Sequence, residues 1–415
     1  MIQFNFVISK AWHFLKALLW QLIYFPLQII LKPQNHWAMS GHRGRVFQDN
    51  SACLFQYISE VTDQKVYWIT KNSADFKMLK SRGFLVLNKN TFRARLILSQ
   101  AQVLIYSHGE DDLDSHFLYW NKLSGLRVYL NHCLNLTKTG QMAQKQVETM
   151  SRSTLAQFKK KITRFDYILA SSETERQYFK QSFIEDDASY VLGGGAHLDQ
   201  FFKLKNESEN KTENESGISS DKMILYFPTF RDLENGRLQL SQILNDLVSD
   251  IHLTQWLREN SYQFILCHHI NSQAIELDES VNDVFQIRPP SDIIELMGGC
   301  EVFISDYSGL IADYLVLNKA FVAFPFDLDE YLTHRSFYSD YRGFTYGHEV
   351  NTLSALIDLI ITGKVFEQEQ FGLHRNKLKE QFFPLDTADY SKRSFETISQ
   401  LVENLKPPTS NSEPS

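Results

Sequence analysis

Cysteine is scarce in this 415-residue chain and unpatterned where it occurs. Cys53, Cys133, Cys267 and Cys300 form no CxxC pair, which argues against a disulfide framework or a zinc ribbon and for free thiols in a reducing compartment. Acidic residues are missing altogether before Asp49, although Lys10, Lys16, Lys32, Arg43 and Arg45 are present. A long apolar run is missing too. The nearest, "ALLWQLIYFPLQIIL" at 17–31, falls short of the ~20 residues a spanning helix needs, and Pro26 would kink it. No small-residue cleavage site follows it, so a secretory signal is disfavoured. Net charge is −7 with a pI near 6.0, which argues against nucleic acid as the main partner.

What is present describes a two-domain globular protein with an unusual beginning. Hydrophobic residues make up 43% and charged residues 22%, with 31 Phe and 18 Tyr to fill cores. Residues 1–36 are expected to lie at an anionic membrane surface, with Trp12, Trp20, Tyr24 and Phe25 at headgroup depth and the lysines meeting lipid phosphates. A buried helix of the first domain is the alternative.

From Trp37 onward, short apolar runs alternate with helical periodicity. "VYWIT" (66–70), "FLVL" (84–87), "VLIYS" (103–107), "RVYLNH" (127–132), "YILAS" (167–171) and "YVLGGG" (190–195) are predicted strands of a first domain, 37–204. The polar stretch "KNESENKTENESGISSDK" (205–222) is expected to be an exposed linker. "MILYFPTF", "QFILCHH", "DVFQI", "VFIS" and "FVAFP" continue a second domain, 223–388. A helix over 389–405 and a disordered tail, 406–415, complete the prediction. Ligands of doubly wound sheets sit outside the carboxyl ends of the strands.

Several predicted strand ends are more polar than a turn requires. In "ISDYSG", Ser308 and Gly309 stand at a helix start suited to an anion, with an ordinary N-cap as the competing reading. "YFPTFRD" places Thr229 and then Arg231 just past a strand, where arginine could grip a phosphate at two points or form a surface ion pair. "LCHHI" puts His268 and His269 at a third strand end, with one of the two facing inward. In the first half, "LNHCLNLTKTG" puts His132 at a strand end with Lys138 and Gly140 after it. His132 is a candidate general base, and His108 and His116 compete for that role. Zinc held by His132-Cys133 and Cys267-His268-His269 is disfavoured by the spacing, so no metal site is expected.

These turns together resemble the CDP-glycerol glycerophosphotransferase family, the teichoic acid primases and polymerases. "ISDYSGLIADYLVLNKAFVAFPFDLDEY" is similar to the family's T/S-D-Y-S-S, helical D-[FY] and D-L-x-x-Y run. "ILYFPTFRD" is similar to its P-T-[FW]-R-D element. "WAMSGHRGRVFQDNSACLFQYI" resembles its W-x-F-x-x-x-x-G-x-x-x-x-D-N-x-x-x-L-F-x-Y opening. "RSFYSDY" and Gly347 are similar to the segment that follows. The resemblance covers roughly 37–350 of this sequence.

The resemblance implies a GT-B-like α/β fold: two Rossmann-type, doubly wound parallel-sheet domains with an interdomain cleft. It implies transfer of a polyol phosphate from a CDP-activated donor to a hydroxyl of a lipid-linked or polymeric glycan, with CMP released and no cofactor required. His132 falls on the family's proposed base, with Lys138 and Gly140 beside it on the acceptor side. Arg231, His269 and Ser308, with His268, Gly309, Thr229, Asp306 and Asp327, fall on the donor side, and Asp313 also matches. Departures gather at the histidine element, where Cys133, Asn135 and Thr137 replace Gly, Pro and Lys, and Gly309 replaces the second Ser of D-Y-S-S. Another acceptor, or CDP-ribitol as donor, fits that asymmetry. A nucleotide-sugar glycosyltransferase of the same fold and a non-catalytic membrane-bound scaffold are the rival readings. The expected place of action is the cytoplasmic face of the bacterial membrane, as a peripheral protein.

Overall fold

The computed structural model describes residue 19 and residues 33–114, 125–134, 136–138, 151–152, 165–182, 189–210, 222–231, 233–267 and 277–405. Two compact units emerge: Met1–Cys133 with Arg152–Asp199 and Asp389–Ser415, and Leu134–Ser151 with Gln200–Ala388.

The first unit is built on a seven-stranded, all-parallel sheet. Its strands are β1 (Gln34–Met39), β2 (Val66–Thr70), β3 (Val86–Asn88), β4 (Ala101–Tyr106), β5 (Leu126–Tyr129), β6 (Tyr167–Ala170) and β7 (Tyr190–Leu192), in the order β3-β2-β1-β4-β5-β6-β7. The direction of winding reverses between β1 and β4, the topological switch point of a Rossmann-type sheet. Alternate residues of β1 feed two cores. Trp37 and Met39 join Phe55, Trp68 and Leu126 on one face, while Ala38 joins Leu98, Tyr106 and Phe179 on the other.

Helix Asp49–Val61 buries Ala52, Leu54, Phe55 and Ile58 and stops where Thr62 Oγ donates to the Ile58 carbonyl at 2.8 Å. The terminal helix, Tyr390–Asn404, is part of this unit rather than an appendage of the second domain. Ile398 and Val402 enter its core, and Phe395 packs on Trp37 with ring centres 5.4 Å apart. Its first N–H groups, of Tyr390 and Ser391, are capped by the Asp199 carboxylate at 2.8 and 2.9 Å. Close approach of this helix explains the "GGG" run: a Cβ on Gly193 would lie 2.4 Å from Thr397 Oγ.

The second unit carries six parallel strands: β8 (Met223–Phe227), β9 (Gln263–Cys267), β10 (Phe285–Arg288), β11 (Val302–Ser305), β12 (Ala320–Ala323) and β13 (His348–Glu349). Their order is β10-β9-β8-β11-β12-β13, again a Rossmann winding, with the switch point between β8 and β11. Val302 pairs with Ile224 on one side and Ala320 on the other, and all four residues of β11 are buried. That two-sided burial is why "VFIS" is a continuous apolar run rather than an alternating one.

Helix Leu198–Asn210 takes in the first residues of the polar stretch expected to be a linker, because the Phe201 and Phe202 side chains anchor its buried start. The rest of that stretch, residues 211–221, lies outside the described residues, as does nearly all of the expected interfacial segment. Among the described residues no helix is long and apolar enough to cross a membrane.

Candidate active site

In each unit the polar strand ends gather at the switch point. In the second unit the centre is Arg231, just past β8. Its Nε donates to Asp327 Oδ2 at 2.6 Å, its Nη2 to Asp327 Oδ1 and Asp306 Oδ2 at 2.8 Å each, and its Nη1 to the Thr229 carbonyl at 2.5 Å. The guanidinium also lies 4.9 Å from the ring centres of Tyr307 and Phe326, in a cage closed by Tyr331. Burial opposes the charge, but Asp306 and Asp327 outweigh it and hold Arg231 firmly protonated.

This corrects the expectation that Arg231 grips the donor. With two carboxylates and a carbonyl already on its N–H groups, and only 4% exposed, it locks the tips of β8, β11 and β12 together. Neither Asp306 nor Asp327 is a free ligand. Asp306 Oδ1 accepts the Thr229 and Tyr307 N–H groups at 2.9 and 2.6 Å, and Asp327 Oδ1 accepts the Tyr307 hydroxyl at 2.9 Å. The partner expected for Arg231 on the surface, Asp232 or Glu234, is replaced by residues 75 and 96 positions away, an arrangement invisible to local spacing.

Ser308 and Gly309 are the half-buried members of this turn. Ser308 Oγ accepts the Leu310 N–H at 3.2 Å, which leaves its own proton available to a ligand. Thr229 Oγ is buried without a hydrogen-bond partner. His268 and His269 lie outside the described residues, beyond the end of β9.

In the first unit the tips of β1, β4 and β5 bring His42, His108 and His132 together. His132 stacks on His108 with ring centres 4.4 Å apart and an interplanar angle of 24°, and His108 lies 3.9 Å from His42. His42 Nε2 is hydrogen-bonded to Asp49 Oδ2. Four non-glycine residues of this site have left-handed backbone: His42 (φ 48°), Arg43 (59°), Asp49 (64°) and Asn131 (63°). Such conformations cost on the order of 1 kcal/mol each and mark places where the chain is held for a purpose.

The holding groups are named readily. Asp112 collects the N–H groups of Arg43 (2.7 Å), Ser107 (2.9 Å), His108 (2.8 Å) and Gly109 (3.2 Å), tying the β1 and β4 turns to one carboxylate. Asn50 does the same for β5. Its amide donates to the carbonyls of Leu130 and Asn131 at 3.3 and 3.2 Å, while its Oδ1 accepts the His197 N–H at 3.0 Å. Burial and the neighbouring imidazoles keep His132 below its ordinary pKa despite the Asp49 charge, so it is neutral, the form a base must take. Burial would also lower His42, but its Asp49 hydrogen bond and charge prevail and raise it.

Of the competing bases, His108 is therefore in the cluster with His132, and His116 lies outside the described residues. Lys138 was expected in the first domain beside His132. It belongs to the second unit, where its N–H donates to the Ser336 carbonyl at 2.6 Å and Thr137 bridges Phe337. Gly140 lies outside the described residues. The zinc arrangement through Cys267 is not supported either, since burial pushes that thiol up to about 12 and it faces the Pro289 carbonyl at 3.4 Å. His42, Asp49, Asn50 and Asp112 were missed by sequence reasoning. Only the D-N pair of the opening pattern signalled any of them.

Two doubly wound units with polar strand tips at both switch points define a GT-B-like α/β fold. The chain belongs to the CDP-Glycerol:Poly(glycerophosphate) glycerophosphotransferase family, whose sequence model matches residues 23–400. It is 24% identical over 398 residues to a teichoic acid glycerol-phosphate transferase of Staphylococcus aureus, covering 92% of this chain and 98% of that protein. A teichoic acid poly(glycerol phosphate) polymerase of Bacillus spizizenii is 24% identical over 392 residues, covering 89% and 93%. Among solved structures, the wall teichoic acid polymerase TagF shares the fold, with a TM-score of 0.69, 17% identity and coverage of 94% and 98%.

Proposed function

We propose that this enzyme transfers glycerol phosphate from CDP-glycerol to a hydroxyl of a lipid-linked or polymeric cell-surface glycan and releases CMP. The observation that carries the reading is the family match over residues 23–400, which takes in both sets of strand tips. The acceptor oxygen attacks the β-phosphorus, a new P–O bond forms, and the bond to the CMP oxygen breaks. His132 takes the hydroxyl proton, a role suited to a neutral imidazole on a braced turn. Negative charge builds on the phosphoryl oxygens, so catalysis rests on positioning and electrostatics.

On the donor side, the Ser308 hydroxyl and the adjoining backbone at Gly309 supply donors for the pyrophosphate. His268 and His269 are retained as donor ligands, and Gly140 as an acceptor-side group. Arg231, Asp306 and Asp327 shape the turn from behind. No cofactor beyond the CDP-activated donor is called for. The acid-free, basic start of the chain suits a peripheral protein at the cytoplasmic face of the membrane, next to a lipid-linked acceptor.

The test is CMP release from CDP-glycerol by the purified protein with a lipid-linked glycan acceptor. Acceptor-dependent release of CMP supports the proposal. CDP-ribitol as the preferred donor would change the polyol but keep the chemistry. Thermal protection by UDP-sugars and not by CDP-glycerol would move the chain to the sugar transferases, and binding without turnover would make it a scaffold.

A further inference from the structure

Beside His132 stand three side chains for which the transfer chemistry has no use. We propose that His42, Asp49 and His108 form a site for one divalent transition-metal ion of the zinc class. Each offers one ligand atom, and these atoms lie within 4.8 Å of one another. Two imidazole nitrogens and one carboxylate oxygen are the donor set of an open, three-ligand zinc site, whereas magnesium and calcium favour oxygen alone. Tetrahedral zinc holds its ligand atoms about 3.3 Å apart, so small side-chain rotations suffice to close the site. An arriving ion would displace the proton shared by His42 Nε2 and Asp49 Oδ2.

The surroundings are those of a built site. The ligands come from three separate segments: the turn after β1, the first residue of helix Asp49–Val61, and the tip of β4. His42 and Asp49 both hold left-handed backbone, with φ 48° and 64°, although neither is glycine. His108 Nδ1 is engaged by Ser107 Oγ at 2.9 Å and by the His42 N–H at 3.3 Å, which orients the ring and leaves Nε2 as its ligand atom. Behind it, the Asp112 carboxylate ties the loops of His42 and His108 to each other. His132, stacked on His108, adds a buried Nδ1 with no hydrogen-bond partner.

The opening pattern that Trp37 to Asn50 follows fixes Asp49 but leaves the position of His42 open. A metal here goes beyond the transferase reading and does not depend on it.

Full-length protein, stripped with a chelator, is titrated with ZnCl2 and separately with MgCl2 by calorimetry. One zinc per chain and no saturable magnesium binding are expected, with zinc affinity falling roughly tenfold or more in each of His42→Gln and His108→Gln. X-ray absorption of the zinc-loaded protein should show a nitrogen and oxygen shell at about 2.0–2.1 Å. Absence of saturable zinc binding to the wild type overturns the proposal. So does a sulfur shell near ~2.3 Å, which would move the ion to a cysteine, or zinc affinity unchanged in both variants. Stoichiometry and the absorption spectrum decide the matter on wild-type protein even where a variant fails to fold. Neither involves turnover, so loss of this site and loss of transferase activity are read separately.

Discussion

Arg231 and Asp327 meet at two points, Nε to Oδ2 at 2.6 Å and Nη2 to Oδ1 at 2.8 Å, in a site from which water is nearly excluded. Their chain separation of 96 residues means that one planar ion pair joins the turn after β8 to the turn after β12. Asp306, on the turn after β11, completes the link through Nη2. The turn after β11 is therefore shaped by charges that face one another rather than by charges that face a ligand.

Removing one partner strands the other in the interior. Arg231→Ala is expected to lower stability by about 3–5 kcal/mol, the usual cost of leaving an uncompensated buried charge. Arg231→Lys should recover only part of it, because a single ammonium cannot satisfy two carboxylates through a planar fork. Urea unfolding measures both. Unchanged stability with loss of CDP-glycerol binding would return Arg231 to the donor's ligands.

Ser308→Ala leaves the Arg231 lock untouched and removes a hydroxyl that has a proton to give. Affinity for CDP-glycerol should fall roughly 10- to 150-fold, the value of one hydrogen bond to a charged group at about 1.5–3 kcal/mol. Calorimetry with wild type and variant checks this. Equal affinities would confine Ser308 to capping Leu310.

His132→Ala should lower turnover by about a hundredfold or more while CDP-glycerol binding stays nearly intact, on the scale set by general bases. Single-turnover kinetics separate the two quantities. If donor affinity drops in step with turnover, His132 belongs to the binding shell.

How much of this was legible beforehand differs between the units for a physical reason. The strand segments follow from short apolar runs, which are local signals, and two doubly wound domains were anticipated from their alternation with helices, whereas the strand order was not. The strand-tip position of Ser308 was readable for the same reason. Partnerships across sequence were not. Arg231 next to Asp232 and Glu234 suggests a surface pair, and only the sheet order brings Asp306 and Asp327 to it. His42 was hidden more thoroughly, since a histidine in a glycine-containing turn carries no periodicity. Its meaning appears only when β1 and β4 lie side by side and Asp112 ties their ends. The terminal helix is a third case. The helix itself was anticipated, but its destination depended on bare backbone at Gly193, 204 residues before Thr397 closes over it.

Glu175 offers a test of the first unit that does not involve catalysis. It lies buried in helix Glu173–Ser182, with Oε2 accepting the Ser171 N–H at 2.6 Å. Burial raises its pKa to about 7 from an ordinary 4.5, against the opposing pull of the Ser171 hydrogen bonds, His197 and Asn131. Between those two values the folded chain holds a proton that the unfolded chain has released. Stability is therefore fully present below pH 4.5 and is lost as pH rises through 7, by about 1.4 kcal/mol per pH unit inside the window. Glu175→Gln imitates the protonated form and keeps an oxygen for the Ser171 N–H. The variant should gain on the wild type as pH goes from 5 to 8, read as a widening gap between their urea midpoints. A gap that stays constant across that range would mean Glu175 is already ionised in the fold.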